Sequence, residues 1–225
     1  MMHQIGDFQI TTIVTDEPWS VNCYLARHIL SGEQILIDPG DAAKRIEQMV
    51  TDYGGKLKAI LLTHAHHDHV GAVADICRHF AASCYLHKAD ARLMRQAHTY
   101  ALVFAARHIE PFLNVSLYEK GNLNIDGWPI DAVKTPGHTP GSVCYDFGGF
   151  IFTGDTLLYQ YVGRTDTPGA NEGQIASSVG GLMERLSEQV VIFPGHGRAW
   201  TAGEAKVWWK DAALLPPQYK QFGGI

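Results

Sequence analysis

Four of the chain's twelve histidines lie within six positions, directly after an apolar run. The segment reads Thr63-His64-Ala65-His66-His67-Asp68-His69. Imidazole nitrogens and carboxylate oxygens are ligands that suit Zn²⁺, and also Fe or Mn. In an extended turn, residues two apart project to the same side, so His64 and His66 can reach one point while Asp68 and His69 reach a neighbouring one. The segment therefore predicts a metal site, because a solvated polar loop gives no reason to gather four imidazoles after a strand.

Three later segments each place one ligand-type residue beside glycine, next to a predicted strand. Gly137-His138 comes before a predicted strand, whereas Gly154-Asp155 and Gly195-His196-Gly197 each follow one. Glycine permits unusual backbone angles and close approach of the main chain. Each segment alone is more typical of an ordinary turn. Together with the histidine cluster they indicate that all four segments serve one site.

The hydrophobic pattern places these residues at the ends of short strands that alternate with helices. The predicted strands cover 8–14, 21–26, 35–38, 57–62, 83–87, 142–147, 150–153 and 190–193, and a hairpin is expected at Asp126-Gly127. The predicted helices cover 41–53, 70–80, 175–186 and most of 88–113. Two mixed sheets, face to face with helices outside, would suit this pattern. No internal repeat is visible in the sequence.

Composition and charge narrow the class of protein. The 225 residues are 46% hydrophobic and 18% charged, which suits about one folded domain. A formal charge of −5 argues against a nucleic-acid partner. No apolar run approaches the roughly 20 residues of a membrane helix, and the start lacks the features of a secretory signal. The four cysteines form no C-x-x-C pair, so we expect buried thiols and a cytoplasmic protein without a membrane partner.

The ordered set H-x-H-x-D-H, then His138, Asp155 and His196, resembles the metallo-β-lactamase superfamily. Within it, the chain looks most like the short, single-domain glyoxalase II-like (hydroxyacylglutathione hydrolase-like) branch, over about residues 8–203. The resemblance implies an α/β fold in a four-layer αββα sandwich. It also implies one domain over 1–225, with 204–225 as a short C-terminal tail.

The same resemblance implies a binuclear centre and a reaction. The first metal would take His64, His66 and His138. The second would take Asp68, His69 and His196, and Asp155 would bridge the two. The ions would be divalent, with Zn expected and Fe or Mn allowed, and His67 would occupy a variable position. A metal-bridging hydroxide oriented by Asp68 would then attack the carbonyl of a small-molecule thioester.

Other members of the superfamily define the alternatives. A persulfide dioxygenase would hold one iron at His64, His138 and Asp155. Those enzymes typically have alanine where this chain has Gly195, which favours a hydrolase. A lactonase, suggested by tyrosines soon after Asp155, and a carrier-protein thioesterase in a biosynthetic pathway also stay open. A non-catalytic protein on the same scaffold is disfavoured because all seven ligand positions are filled.

Two residues are candidates for substrate binding, Tyr159 and Arg164. Arg164 could pair with a substrate carboxylate, or form an internal salt bridge with Asp166. Only 29 residues follow His196, so we do not expect the longer C-terminal region that contacts glutathione in glyoxalase II, and the thiol of the substrate stays open. The 88–113 segment carries an apolar stripe that would face the core, another subunit or an acyl chain. Its members are Leu93, Met94, Ala97, Tyr100, Ala101 and Phe104. The sequence does not settle the oligomeric state.

Overall fold

The computed structural model describes residues 1–15, 19–119, 121, 123, 125 and 127–213. The chain divides into two compact units, Met1–Glu119 and Lys120–Ile225, called here the first and second unit. Each unit has its own sheet and helices. The predicted single domain over 1–225 stays a prediction. Within the predicted tail, residues up to Ala213 continue a helix, and 214–225 lie outside the described residues.

A seven-stranded sheet, whose strands neighbour one another in chain order, forms the first unit. Its strands are β1 (Met2–Ile5), β2 (Phe8–Val14), β3 (Asn22–His28), β4 (Gln34–Ile37), β5 (Leu57–Leu61), β6 (Ser83–His87) and β7 (Ser116–Tyr118). The pairs from β1 to β4 are antiparallel, and those from β4 to β7 are parallel. Strand β4 is buried throughout, as expected for a strand covered on both faces. Because β4 and β5 are parallel neighbours, the residues that follow them emerge at the same edge.

Four helices pack in the first unit: α1 (Ala43–Tyr53), α2 (His67–Val70), α3 (Val73–Phe80) and α4 (Ala91–Ala105). Helix α1 buries Ile46, Met49 and Val50, which share one face at helical spacing. These side chains join the apolar core beneath the sheet together with residues of β3, β5, α3 and α4.

Two helix predictions in this unit are wrong at their boundaries. The predicted helix 70–80 is interrupted, since α2 already begins at His67 and α3 begins at Val73. The helix predicted over most of 88–113 ends at Ala105, because Ala106 adopts a left-handed conformation with φ +50°. Of its apolar stripe, Met94, Ala97 and Ala101 are buried, whereas Phe104 is 65% exposed.

The second unit contains a five-stranded sheet and a separate hairpin. The strands, in chain order, are β8 (Asp131–Lys134), β9 (Val143–Asp146), β10 (Phe150–Gly154), β11 (Leu157–Leu158), β12 (Tyr161–Val162), β13 (Val191–Pro194) and β14 (Trp200–Thr201). The sheet order is β14-β13-β10-β9-β8, and only its β10–β13 pair is parallel. Strands β11 and β12 form the hairpin. The hairpin expected at Asp126-Gly127 involves Asp126, which lies outside the described residues.

Helices α5 (Glu172–Arg185) and α6 (Ala202–Ala213) complete the second unit. Helix α5 begins after Asn171, whose side chain accepts a hydrogen bond from the Gln174 N–H and so caps the first turn. Its buried face, which includes Ile175, Val179 and Leu182, packs with β10 and β13 residues in one apolar cluster. The mixed α/β class predicted from the sequence is confirmed.

The cysteines are all free thiols, as predicted. Cys23, Cys84 and Cys144 are buried, and Cys77 is half-buried. Burial raises the pKa of the Cys144 thiol to about 12, which keeps it protonated. Among the described residues, none of the helices combines the length and apolar character needed to cross a bilayer.

Candidate metal centre

The histidine cluster of the first unit begins where β5 ends. Its backbone is extended only as far as His66, with φ −67° and ψ 146°. The His69 N–H then donates to the His66 carbonyl at 3.0 Å, which closes a helical turn. The predicted extended turn over the whole segment is therefore wrong after His66, because local main-chain hydrogen bonding favours α2.

Because the backbone becomes helical after His66, the ligand-type side chains of this segment lie close together in the first unit. His64 and His69 are buried, and their ring centroids lie 4.1 Å apart. The His66 ring is 4.8 Å from that of His64. Asp68 Oδ2 lies 3.9 Å from His69 Nε2. The four ligand-type residues predicted in this segment thus lie together.

Asp38 organises this cluster. From the sequence it was predicted only to end a strand. It follows β4, is buried, and has φ +46°. Its Oδ1 accepts the Thr63 N–H at 2.8 Å. Its Oδ2 accepts from the Thr63 hydroxyl at 2.6 Å and from His69 Nδ1 at 3.0 Å. Asp38, His64 and His69 bring ligand-type atoms within 4.8 Å of one another. Because both Asp38 oxygens already accept hydrogen bonds, Asp38 suits orienting these groups better than binding an ion.

These hydrogen bonds set the proton positions on two histidines. The Thr63 hydroxyl has one proton, which it donates to Asp38, so at 3.1 Å it accepts from His64 Nδ1. His69 Nδ1 likewise donates to Asp38. Each ring therefore carries its lone pair on Nε2, the nitrogen left to bind a metal.

Hydrogen bonds also fix the main chain of the histidine cluster. The Ala65 N–H donates to the buried carboxylate of Asp90 at 3.1 Å. The Gly40 N–H donates to the His69 carbonyl at 3.1 Å. Gly40 has φ +56°, and a Cβ there would lie 2.4 Å from Thr15 Cγ2. Glycine suits this position beside the cluster, because a side chain there would be strained and would displace Thr15.

His67 faces a different environment from its neighbours. Its ring meets Trp19 edge-on, with centroids 5.6 Å apart. Partial burial lowers the pKa of His67, and the nearby Asp68 carboxylate opposes this shift. These contacts agree with a residue that supports the cluster rather than one that binds the ion.

In the second unit, one carboxylate oxygen lies next to two imidazoles. Asp155 Oδ2 is 3.6 Å from His138 Nε2 and 3.5 Å from His196 Nε2. Two ligand atoms on a tetrahedral ion with bonds of about 2.1 Å are roughly 3.4 Å apart. The spacing therefore fits an Asp155 oxygen that shares metal ions with the two imidazoles, and the donor set suits divalent ions.

The β10–β13 pair explains why two of these residues meet. Gly154 at the end of β10 is in register with Pro194 at the end of β13. The Gly195 N–H donates to the Gly154 carbonyl at 2.8 Å, so the two loops leave the sheet together. Asp155 and His196 therefore emerge at one edge, which the separate glycine-flanked motifs predicted.

His138 is oriented by the main chain rather than by an acid. Its Nδ1 donates to the Arg164 carbonyl at 2.9 Å, which leaves Nε2 toward Asp155. A Cβ at Gly163 would lie 1.8 Å from the Asp155 carbonyl oxygen and 3.0 Å from His138 Cγ. The absence of a side chain at 163 allows this close approach. No side-chain pattern in the sequence could have identified the Arg164 carbonyl.

The two residues predicted to bind substrate have other contacts in the second unit. Arg164 forms a two-pronged ion pair with Asp166 at 2.6 and 2.7 Å, which is the salt bridge considered as its alternative role. The Tyr159 ring lies beneath the Arg198 guanidinium, whose Cζ is 3.7 Å from the ring centroid. No pattern in the sequence singled out Arg198.

Comparisons with known proteins now place this geometry in a family. The sequence matches the metallo-beta-lactamase superfamily over residues 16–196. The chain belongs to the metallo-β-lactamase superfamily. The superfamily binds divalent metals, which agrees with the histidine and aspartate groups described above. The chain is accordingly assigned as a metal-dependent hydrolase of this superfamily.

Individual members resemble the chain over most of its length. It is 33% identical to hydroxyacylglutathione hydrolase GloC of Haemophilus influenzae, covering 76% of this chain and 83% of that protein. It is 28% identical to the probable polyketide biosynthesis zinc-dependent hydrolase PksB of Bacillus subtilis, covering 83% and 77%. The crystal structure of TTHA1623 in a di-iron-bound form shares 33% identity with a TM-score of 0.77, covering 86% of this chain and 96% of that one. These matches confirm the predicted metallo-β-lactamase fold and the glyoxalase II-like relatives.

Proposed function

We propose that the chain is a binuclear thioester hydrolase of the glyoxalase II-like type. The observation that carries the proposal is the position of Asp155 Oδ2, 3.6 and 3.5 Å from the Nε2 atoms of His138 and His196. A carboxylate so placed suits a ligand shared by two ions. The 33% identity to the hydroxyacylglutathione hydrolase GloC supports the choice of thioester.

The proposed ligands are those of the family pattern. One ion would be held by His64, His66 and His138. The other would be held by Asp68, His69 and His196, with Asp155 common to both. When bound, the ions would supply a water of pKa about 7 and an acid for the carbonyl oxygen. We expect Zn. Because the related TTHA1623 has a crystal structure in a di-iron-bound form, metal analysis must distinguish Zn from Fe.

The chain's own groups would orient the reactants. Asp68 has a partly buried carboxylate, 14% exposed, that would accept a hydrogen bond from the attacking water and direct its lone pair. The leaving group of a thioester is a thiolate, and the pKa of an ordinary thiol is about 8.5. Because this pKa is low, the thiolate can depart without a proton donor. The geometry therefore does not require a dedicated general acid.

We propose a small-molecule thioester as substrate, and no nucleic-acid or membrane partner. A carrier-protein thioester is a second candidate, favoured by the 28% identity to PksB, a probable polyketide biosynthesis hydrolase. The two candidates share the reacting bond and differ in the thiol that carries it.

Metal analysis combined with a substrate panel tests the proposal. The purified chain should contain about two divalent ions and hydrolyse S-lactoylglutathione or an acyl-phosphopantetheine thioester. Exposure to a chelator should abolish the activity, and added Zn²⁺ should restore it. The same samples are assayed for oxygen uptake with glutathione persulfide. About one iron per chain, oxygen uptake and no thioester turnover would replace the proposal with a persulfide dioxygenase.

A further inference from the structure

The exposed guanidinium of Arg198 lies over the Tyr159 ring in the second unit. We propose that this pair, called here the arginine–tyrosine anchor, binds the anionic group on the thiol portion of the substrate. The inference rests on the proposed thioester hydrolase and specifies how that enzyme recognises its thiol. It uses a residue, Arg198, that the family pattern of ligands does not include.

Both members of the anchor follow metal-ligand candidates closely in the chain. Tyr159 lies in the turn of the β11–β12 hairpin, four residues after Asp155, and Gln160 completes this turn with φ +51°. Arg198 is two residues after His196. Asp155 Oδ2 and His196 Nε2 lie 3.5 Å apart. The loops that carry Tyr159 and Arg198 therefore both begin beside this pair of atoms. An anion bound there would belong to a substrate whose thioester reaches these ligands.

The charge of Arg198 is available to a ligand. Glu204 Oε1 lies 3.8 Å from Arg198 Nη2, beyond hydrogen-bond distance. Glu204 is engaged elsewhere, because its Oε2 accepts the Thr201 N–H at 2.7 Å and the Thr201 hydroxyl at 3.1 Å. The Glu204 N–H in turn donates to Thr201 Oγ1 at 3.2 Å. This reciprocal pair caps the start of α6 and leaves the fork of Arg198 for another anion.

Arg164 is a weaker candidate for the same task. Its Nε and Nη2 both donate to Asp166, at 2.6 and 2.7 Å. A guanidinium recognises a carboxylate or phosphate through two such parallel donors, and those of Arg164 are already used. A substrate anion would have to displace Asp166 there, whereas at Arg198 it would not displace a two-pronged partner.

Aromatic packing holds the anchor in one orientation. The Tyr159 ring meets Trp200 edge-on, with centroids 5.2 Å apart, and Trp200 is 3% exposed. The ring centroids of Trp200 and Trp208 in turn lie 5.8 Å apart. A guanidinium stacked on a fixed ring keeps its planar edge free while losing little side-chain freedom on binding. The pair is therefore preorganised for an anion that presents two oxygens.

The ligand chemistry is an oxyanion joined to a thiol. A glutathione carboxylate and a phosphopantetheine phosphate both provide two oxygens at suitable spacing. The substrates for the test are therefore S-lactoylglutathione, S-lactoyl-phosphopantetheine and the uncharged S-lactoyl-N-acetylcysteamine. The first two distinguish the sources of the anion, and the third carries the same reacting bond without one.

Steady-state kinetics of the metal-loaded Arg198→Gln protein tests the anchor. We expect kcat/KM to fall about 10- to 100-fold on the preferred anionic thioester, mainly through KM, as for loss of a charged hydrogen bond. The uncharged thioester should change less than about twofold, since it lacks the anion. Arg95→Gln, an exposed arginine on α4, is the matched control and should resemble the unmodified protein. Equal changes on all three thioesters for Arg198→Gln would overturn the anchor.

Variants at Tyr159 test the stacking. Tyr159→Phe keeps the ring and should keep selectivity for the anionic thioester. Tyr159→Leu removes the ring face and should lose part of that selectivity, about three- to tenfold. If Tyr159→Leu retained full selectivity, the ring would have no part in binding the anion and the paired anchor would be rejected.

Equilibrium binding separates failure of the anchor from failure of the proposed function. Calorimetry measures glutathione and phosphopantetheine binding to the metal-loaded unmodified and Arg198→Gln proteins. Weaker binding to Arg198→Gln supports the anchor even if no thioester is hydrolysed, in which case only the proposed function fails. The same affinity in both proteins overturns the anchor, whatever the turnover.

Discussion

In the first unit the ligand-type side chains come from one continuous segment, residues 64–69, whereas in the second they come from three loops. The first group is oriented by buried acids, since Asp38 accepts from His69 and Thr63, and Asp90 accepts from the main chain. The second is oriented by main-chain carbonyls, of Arg164 to His138 and of Gly154 to Gly195. The same kind of ligand is thus positioned in two physically different ways.

This difference indicates which substitutions matter in each unit. Orientation by a carboxylate depends on the side chain and is lost when that side chain is changed. Orientation by a carbonyl survives any change that keeps the backbone in place.

Asp155→Ala should have the largest effect, because its Oδ2 lies beside two imidazoles. Metal content should fall well below two ions per chain, and turnover should drop about 10³-fold or more, as expected for losing several kcal/mol of metal-dependent stabilisation. Elemental analysis and thioesterase assays check this. Asp131→Asn, which alters a surface partner of Arg185, is the control. Unchanged turnover in Asp155→Ala would place the chemistry elsewhere.

Asp68→Ala should remove one proposed ligand and the group that directs the water. We expect about one ion per chain to remain and kcat to fall about 10²-fold, the typical value of a positioned acid–base group. Asp75→Ala on α3 removes an exposed carboxylate and should leave both values unchanged. An Asp68→Ala protein with normal kcat and two ions would contradict the assigned role.

Asp38→Asn tests orientation by a carboxylate. The amide has one acceptor oxygen in place of the two that accept three hydrogen bonds, so the His69 ring loses its fixed partner. Affinity for Zn²⁺ should weaken about 10- to 100-fold, measured by competition with a chelator. Circular dichroism confirms that the variant is folded. Unaltered affinity in a folded Asp38→Asn protein would show that the carboxylate does not orient the ligand.

Arg164→Ala should have the smallest effect on metal binding. The variant loses the ion pair with Asp166 but keeps the carbonyl that accepts from His138. Zn²⁺ affinity should change less than about twofold, because exposed ion pairs contribute little. The same chelator competition used for Asp38→Asn gives a direct comparison. A tenfold loss in Arg164→Ala would show that its side chain, rather than its carbonyl, supports His138.

The sequence predicted the proposed metal ligands more fully than the groups that orient them. The histidine cluster was informative by itself, and the segments of His138, Asp155 and His196 became informative when taken together with it. Asp38 was missed because its role depends on β4 lying beside β5, a contact between distant parts of the chain. The Arg164 carbonyl was missed because every residue type has a carbonyl. Most strands followed from periodicity and the fold class from the resemblance of the ligand motifs, whereas helix ends set by single residues, such as Ala106, followed from neither.

The closeness of Gly163 to the main chain of Asp155 has a consequence for how this gene can vary. In a library selected for metal retention, codon 163 should keep glycine alone, because a Cβ there would lie 1.8 Å from the Asp155 oxygen. Codon 164, its immediate neighbour, should accept many residues. Adjacent codons would then show opposite tolerance, because residue 164 meets His138 through its main-chain carbonyl, which every residue type supplies.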